Sequence, residues 1–123
     1  MSRPFVFLLM VFFHVADDYY LQGKLALLKQ KEWWAKNAPE KLYQHDYLIA
    51  LVTHGFSWTF MVMLPIAIAY QLSPPRFFYL FFAMNLVIHV LIDHMKANLR
   101  KISLTTDQTL HIAQILATFF ALM

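Results

Sequence analysis

The chain contains no cysteine. Disulfides, thiolate metal sites and a cysteine nucleophile are therefore excluded, and any metal ion must be held by imidazole and carboxylate. Glycine is nearly absent too, with two in 123 residues, which leaves no glycine-rich loop to cradle a phosphate. No serine-nucleophile motif is present. Charge is scarce: 14% of residues are charged against 60% hydrophobic, at a mean hydropathy of +0.52. A soluble domain of this length cannot hide that much apolar surface. The net charge of +3 sits mostly in connecting segments, so it speaks to topology and lipid head groups and not to nucleic acid.

What is present is four apolar stretches, residues 4–22, 47–71, 77–96 and 107–123. Runs of about 17–25 apolar residues are the length of spanning helices and too long for strands. The expected fold is one domain, residues 1–123: an all-α integral membrane protein of four transmembrane helices. Pro4 suits the first turn of helix one. Between helices one and two, Leu25, Leu27, Leu28, Trp33 and Trp34 mix with Lys24, Lys29, Lys31 and Lys36, which predicts an interfacial amphipathic helix anchored by the tryptophan pair. Pro65 is expected to kink helix two, residues 73–75 to make a short hairpin turn, and Thr106 to cap helix four with Asp107 in its first turn. Arg3 and the apolar run to Ala16 have the outline of a signal peptide, but His14 stands where a small residue would precede the cleavage point.

Lysine and arginine set the orientation. Segment 24–46 carries Lys24, Lys29, Lys31, Lys36 and Lys41, and the connection after helix three follows Lys96 with Arg100 and Lys101. The other side has Arg3 and Arg76. The positive-inside rule puts both basic connections in the cytoplasm and both termini outside.

With that orientation the ionisable residues inside the apolar stretches fall at one depth. His14 and Asp18 end helix one, His54 lies two turns into helix two, His89 and Asp93 end helix three, and Asp107 and His111 open helix four. At 1.5 Å per residue all lie within about 12 Å of the basic boundary. His14/Asp18, His89/Asp93 and Asp107/His111 are each four residues apart and share a helix face. Imidazole and carboxylate so placed suit Zn²⁺, Mn²⁺ or Fe²⁺. The plainer alternative is hydrogen bonding between helices, worth about 0.6 kcal/mol per bridge. Asp17 and His94, next to Asp18 and Asp93, are expected to point away, and His45 and Asp46 to be solvated. Lys96, seven residues after His89, either pairs with an anionic substrate or snorkels to the boundary. HVADDYYLQGK in helix one and HVLIDHMKANLRK in helix three are alike, which suggests two similar halves.

The stretches HVADDYYLQ (14–22), WAKN (34–37), LVTH (51–54), HVLIDHMKA (89–97) and DQTLH (107–111) resemble the small membrane-protein family catalogued as domain of unknown function 3307, found in bacteria and phages. The resemblance runs over nearly the whole chain; Tyr19 stands where the family often has phenylalanine. It implies a multi-helix protein of the bacterial cytoplasmic (inner) membrane and no established activity. The polar pattern is also similar to that of small membrane proteins described as metal-dependent hydrolases.

The residues and the resemblance together give the expectation of a metal-dependent hydrolase at the cytoplasmic leaflet. Its substrate would be a phosphorylated lipid or isoprenoid. His14, Asp18, His89 and Asp93 are the expected ligands of zinc or manganese; His54, Asp107, His111 and Lys96 are expected to serve catalysis. Expected partners are membrane lipids and possible further copies of the chain. The rival readings are a metal or proton carrier, which predicts polar residues continuing across the membrane, and a non-enzymatic phage factor that forms holes or excludes other phages.

Overall fold

Pro4 sits in the first turn of α1 (Arg3–Val15), where its missing N–H costs no hydrogen bond. The computed structural model describes residues 1–123, all of them in helices or the connections between them. Beyond Val15 the helix widens into a π-helical turn, Ala16–Leu21, and Gly23, at φ +54°, turns the chain away. That left-handed conformation is one glycine adopts without strain. There follow α2 (Leu25–Leu28), α3 (Lys31–Asn37), a 3-10 turn (Lys41–Tyr43) and three long helices: α4 (Asp46–Ala69), α5 (Arg76–Ala97) and α6 (Leu104–Leu122).

Three details depart from expectation. The connection between the first two long helices is not one amphipathic helix. It breaks at Gln30, which is extended at φ −91° and ψ 116°, and α3 folds back so that the Trp34 indole N–H donates to the Leu28 carbonyl at 2.7 Å. Trp34 also stacks on Tyr43, so this tryptophan staples the connection together. The cap of α6 is Ser103, not Thr106; its hydroxyl accepts from the Thr106 N–H at 3.2 Å. A capping oxygen reaches the third residue of the helix, so the helix begins before Thr106, and Asp107 stays in the first turn. Finally, three helices are long and apolar enough to cross a membrane, Arg3–Leu21, Lys41–Ala69 and Arg76–Ala97. α6 falls short because it carries Asp107, Gln108, His111 and Gln114.

Pro65 lies inside α4, which continues past it to Ala69. α4 is the central helix, packed on α1 and α5, and α6 closes against α5 and α1. Gly55 permits the α4–α5 approach: a Cβ there would lie 2.6 Å from Val90 Cγ2 and 3.3 Å from Leu86 Cδ1. That contact brings the neighbouring His54 and His89 rings to 5.1 Å between centroids. One end of the bundle is an apolar core of Val6, Met10, Val62, Met63, Ile66, Ile115 and Phe119. The other end holds the histidines and aspartates.

Candidate metal centre

The widened turn after α1 delivers two carboxylates to the interior. Asp17 is 1% exposed, and its Oδ1 accepts from the Ser57 hydroxyl at 2.5 Å. The expectation that it would point away is therefore corrected: residues three and four beyond His14 both share its face, and a π-turn widens the helix locally. Asp18 Oδ1 lies 3.1 Å from His54 Nε2, and its Oδ2 accepts from Gln108 Nε2 at 3.1 Å.

α5 and α6 bring the rest. Asp93 Oδ2 lies 3.4 Å from both His54 Nε2 and His89 Nε2, while its Oδ1 lies 3.2 Å from His111 Nε2. Asp107 Oδ1 is 3.4 Å from the same His111 nitrogen. The His89 ring is sandwiched between the Trp58 indole, 4.3 Å away, and the His111 ring, 4.1 Å away. Three overlapping sets could each hold an ion: Asp18, His54 and His89; His89, Asp93 and His111; Asp18, Asp107 and His111.

His14 lies beside this group but is otherwise engaged. The Trp58 indole N–H donates to its Nδ1 at 2.8 Å. Indole is donor only, so Nδ1 must accept, and Nε2–H donates to Gln108 Oε1 at 2.9 Å. Gln108 in turn donates to Asp18 and Asp107. Of the four expected ligands, Asp18, His89 and Asp93 belong to sets that could hold an ion, and His14 bonds to Gln108 instead. Of the expected catalytic residues, His54, Asp107 and His111 stand in the same sets. Lys96 lies at the rim.

His111 is aimed by a partner the sequence reading missed. Gln114 Nε2 donates to the Asn85 backbone carbonyl at 3.2 Å, which turns its Oε1 to His111 Nδ1, 3.0 Å away. Nδ1 therefore carries a proton, and Nε2 faces Asp93 Oδ1 at 3.2 Å and Asp107 Oδ1 at 3.4 Å, donating to them unless an ion lies between. Orientation of one imidazole nitrogen through the other is usual around metal sites. Asn85 and Gln114 stand four residues before His89 and three after His111, spacings that could have flagged them. Asn85 also donates to Thr118 at 2.7 Å; this polar ladder ends against the apolar core.

The other missed residue is Lys29. Its ammonium is buried and donates to Asp93 Oδ2 at 3.0 Å. Asn98 positions it by donating to the Lys29 carbonyl at 3.0 Å and accepting from the Lys31 N–H at 2.6 Å. A cleft of about 50 Å³, lined by Lys29, Lys96, Gln22, Gln108 and the three carboxylates Asp18, Asp93 and Asp107, connects the cluster to the basic end of the molecule. His94 stacks on Tyr47 outside the cluster, and His45 is exposed, as expected.

The donor set fits a hard or borderline divalent ion. Both ring nitrogens of His89, Asp107 Oδ1, Asp17 Oδ2 and His54 Nδ1 are buried without a well-formed hydrogen bond; their nearest opposite groups stand at 3.4–3.5 Å, His89 Nε2 from Asp93, Asp107 Oδ1 from His111, and Asp17 Oδ2 from His54 Nδ1. Buried polar atoms are nearly always paired, and an ion satisfies several at once. A family model described as protein of unknown function (DUF3307) matches residues 6–123. The chain belongs to this family. No curated protein and no solved structure matches it.

Proposed function

We propose that this DUF3307 protein is an integral membrane metal-dependent hydrolase whose site opens at the cytoplasmic leaflet, acting on a phosphorylated lipid or isoprenoid. The observation that carries the reading is three histidines and three aspartates from four helices whose donor atoms converge in overlapping sets that could each hold an ion. A divalent ion in such a site lowers the pKa of water and polarises a phosphoryl or acyl oxygen.

The remaining features fit. Phe5, Leu8 and Phe12 of α1, Phe56 and Phe60 of α4, and Phe77, Leu80 and Leu91 of α5 are exposed, so the bundle is apolar outside and ionic inside, the arrangement a bilayer favours. Lys29 and Lys96 at the mouth suit an anionic head group.

The test uses detergent-solubilised protein, where no gradient exists. The expected result is metal-dependent release of phosphate or head group from a panel of phosphorylated membrane lipids, abolished by chelator and by Asp93→Asn. No product, together with Zn²⁺ or proton movement in reconstituted vesicles, would replace the hydrolase with a carrier. Neither activity, with an Asp93→Asn protein that keeps its cellular effect, would leave the non-enzymatic phage factor.

A further inference from the structure

The two oxygens of Asp93 face different imidazoles, Oδ2 also accepting from the Lys29 ammonium at 3.0 Å, and the donors fall on two sides of this carboxylate, with His89 and His111 within reach of each other across it. On the Oδ2 side stand His54 Nε2 and His89 Nε2, each 3.4 Å away, with Asp18 Oδ1 3.1 Å from His54. On the Oδ1 side stands His111 Nε2 at 3.2 Å, with Asp107 Oδ1 3.4 Å beyond it. Asp18 belongs to an ion-holding set on each side: one with His54 and His89, one with Asp107 and His111. From these distances we infer that the centre is dinuclear: Asp93 bridges two divalent ions, with Asp18 as the second shared carboxylate. This inference rests on the proposed metal site and adds the number of ions and their ligand division.

Three observations support two ions over one. Six donors spread over two groups exceed the four positions of tetrahedral Zn²⁺, and, for Zn²⁺ and Mn²⁺ alike, one carboxylate oxygen facing each group is the arrangement of two-metal sites, whose ions lie about 3.5–4 Å apart. The unpaired atoms fall on both sides: the His89 nitrogens on one, Asp107 Oδ1 on the other.

The test needs no substrate. Full-length protein in detergent is stripped with chelator, titrated with Mn²⁺ and measured by elemental analysis and electron paramagnetic resonance. The expected result is about two ions per chain, as in two-metal sites, with the resonance of an exchange-coupled pair in place of the six-line signal of isolated Mn²⁺. His54→Gln and Asp107→Asn are each expected to lose one ion, leaving a six-line signal from the other. The coupled signal of the parent protein decides the matter even if a variant fails to fold. One ion per chain with a six-line signal would overturn the pair and leave the metal site standing. No bound ion would overturn both.

Discussion

The indole N–H of Trp58 donates to Nδ1 of His14 at 2.8 Å, across 44 residues of sequence, and both side chains are buried. That bond makes His14 an orienting group. Trp58→Phe keeps an aromatic ring against His89 but leaves the His14 acceptor unpaired, at a cost of about 1–3 kcal/mol. Thermal unfolding in detergent is expected to show a lower midpoint, with metal content unchanged; metal lost in proportion to the change would assign His14 to the ligands after all.

The same relationship divides the histidines. His89→Ala is expected to lower the bound metal, whereas His14→Gln and His45→Ala retain it in full. Elemental analysis of the purified variants checks this. Equal metal content in the His89 and His45 variants would return the cluster to interhelical hydrogen bonding.

Gly55 supplies a test of how the site is held. A methyl group at this position meets Val90 Cγ2 at 2.6 Å, so Gly55→Ala is expected to cost about 1–3 kcal/mol, the usual penalty of overpacking. Val90→Ala on the same chain is expected to recover most of the loss. No recovery in the unfolding midpoint would mean that the α4–α5 approach is set elsewhere.

Orientation is open to direct measurement, because the chain has no cysteine to remove. A cysteine in place of Lys36 is expected to resist an impermeant thiol reagent in intact cells, and one in place of Pro74 to react. The reverse labelling would put the mouth of the site, with Lys29 and Lys96, on the outer face.

The sequence carried the long helices and most of the cluster because both rest on periodicity. His/Asp pairs four apart share a face whatever the tertiary packing, and equal distance from the basic boundary put His54, Asp18, Asp93 and His111 at one level. Asp17 was missed because adjacency to Asp18 was weighed while its three-residue spacing from His14 was not. Lys29 could not be distinguished from Lys24, Lys31 and Lys36. Its burial depends on the break at Gln30 and on the Asn98 side chain, 69 residues away, and no local pattern encodes either. α6 looked like a span by its apolar end alone; its amino-terminal half is spent on the site.

The pairing of Lys29 with Asp93 has a consequence for assembly. An aspartate drawn into an apolar bundle without a partner costs several kcal/mol, and synthesis delivers the amino-terminal part first. Lys29 precedes α5 by the whole length of α4, so Asp93 arrives to find its counter-charge already made. The chain can thereby close around Asp93 with its own ammonium in place, and if the proposed ion binds, its entry would be an exchange of cations instead of a second folding step.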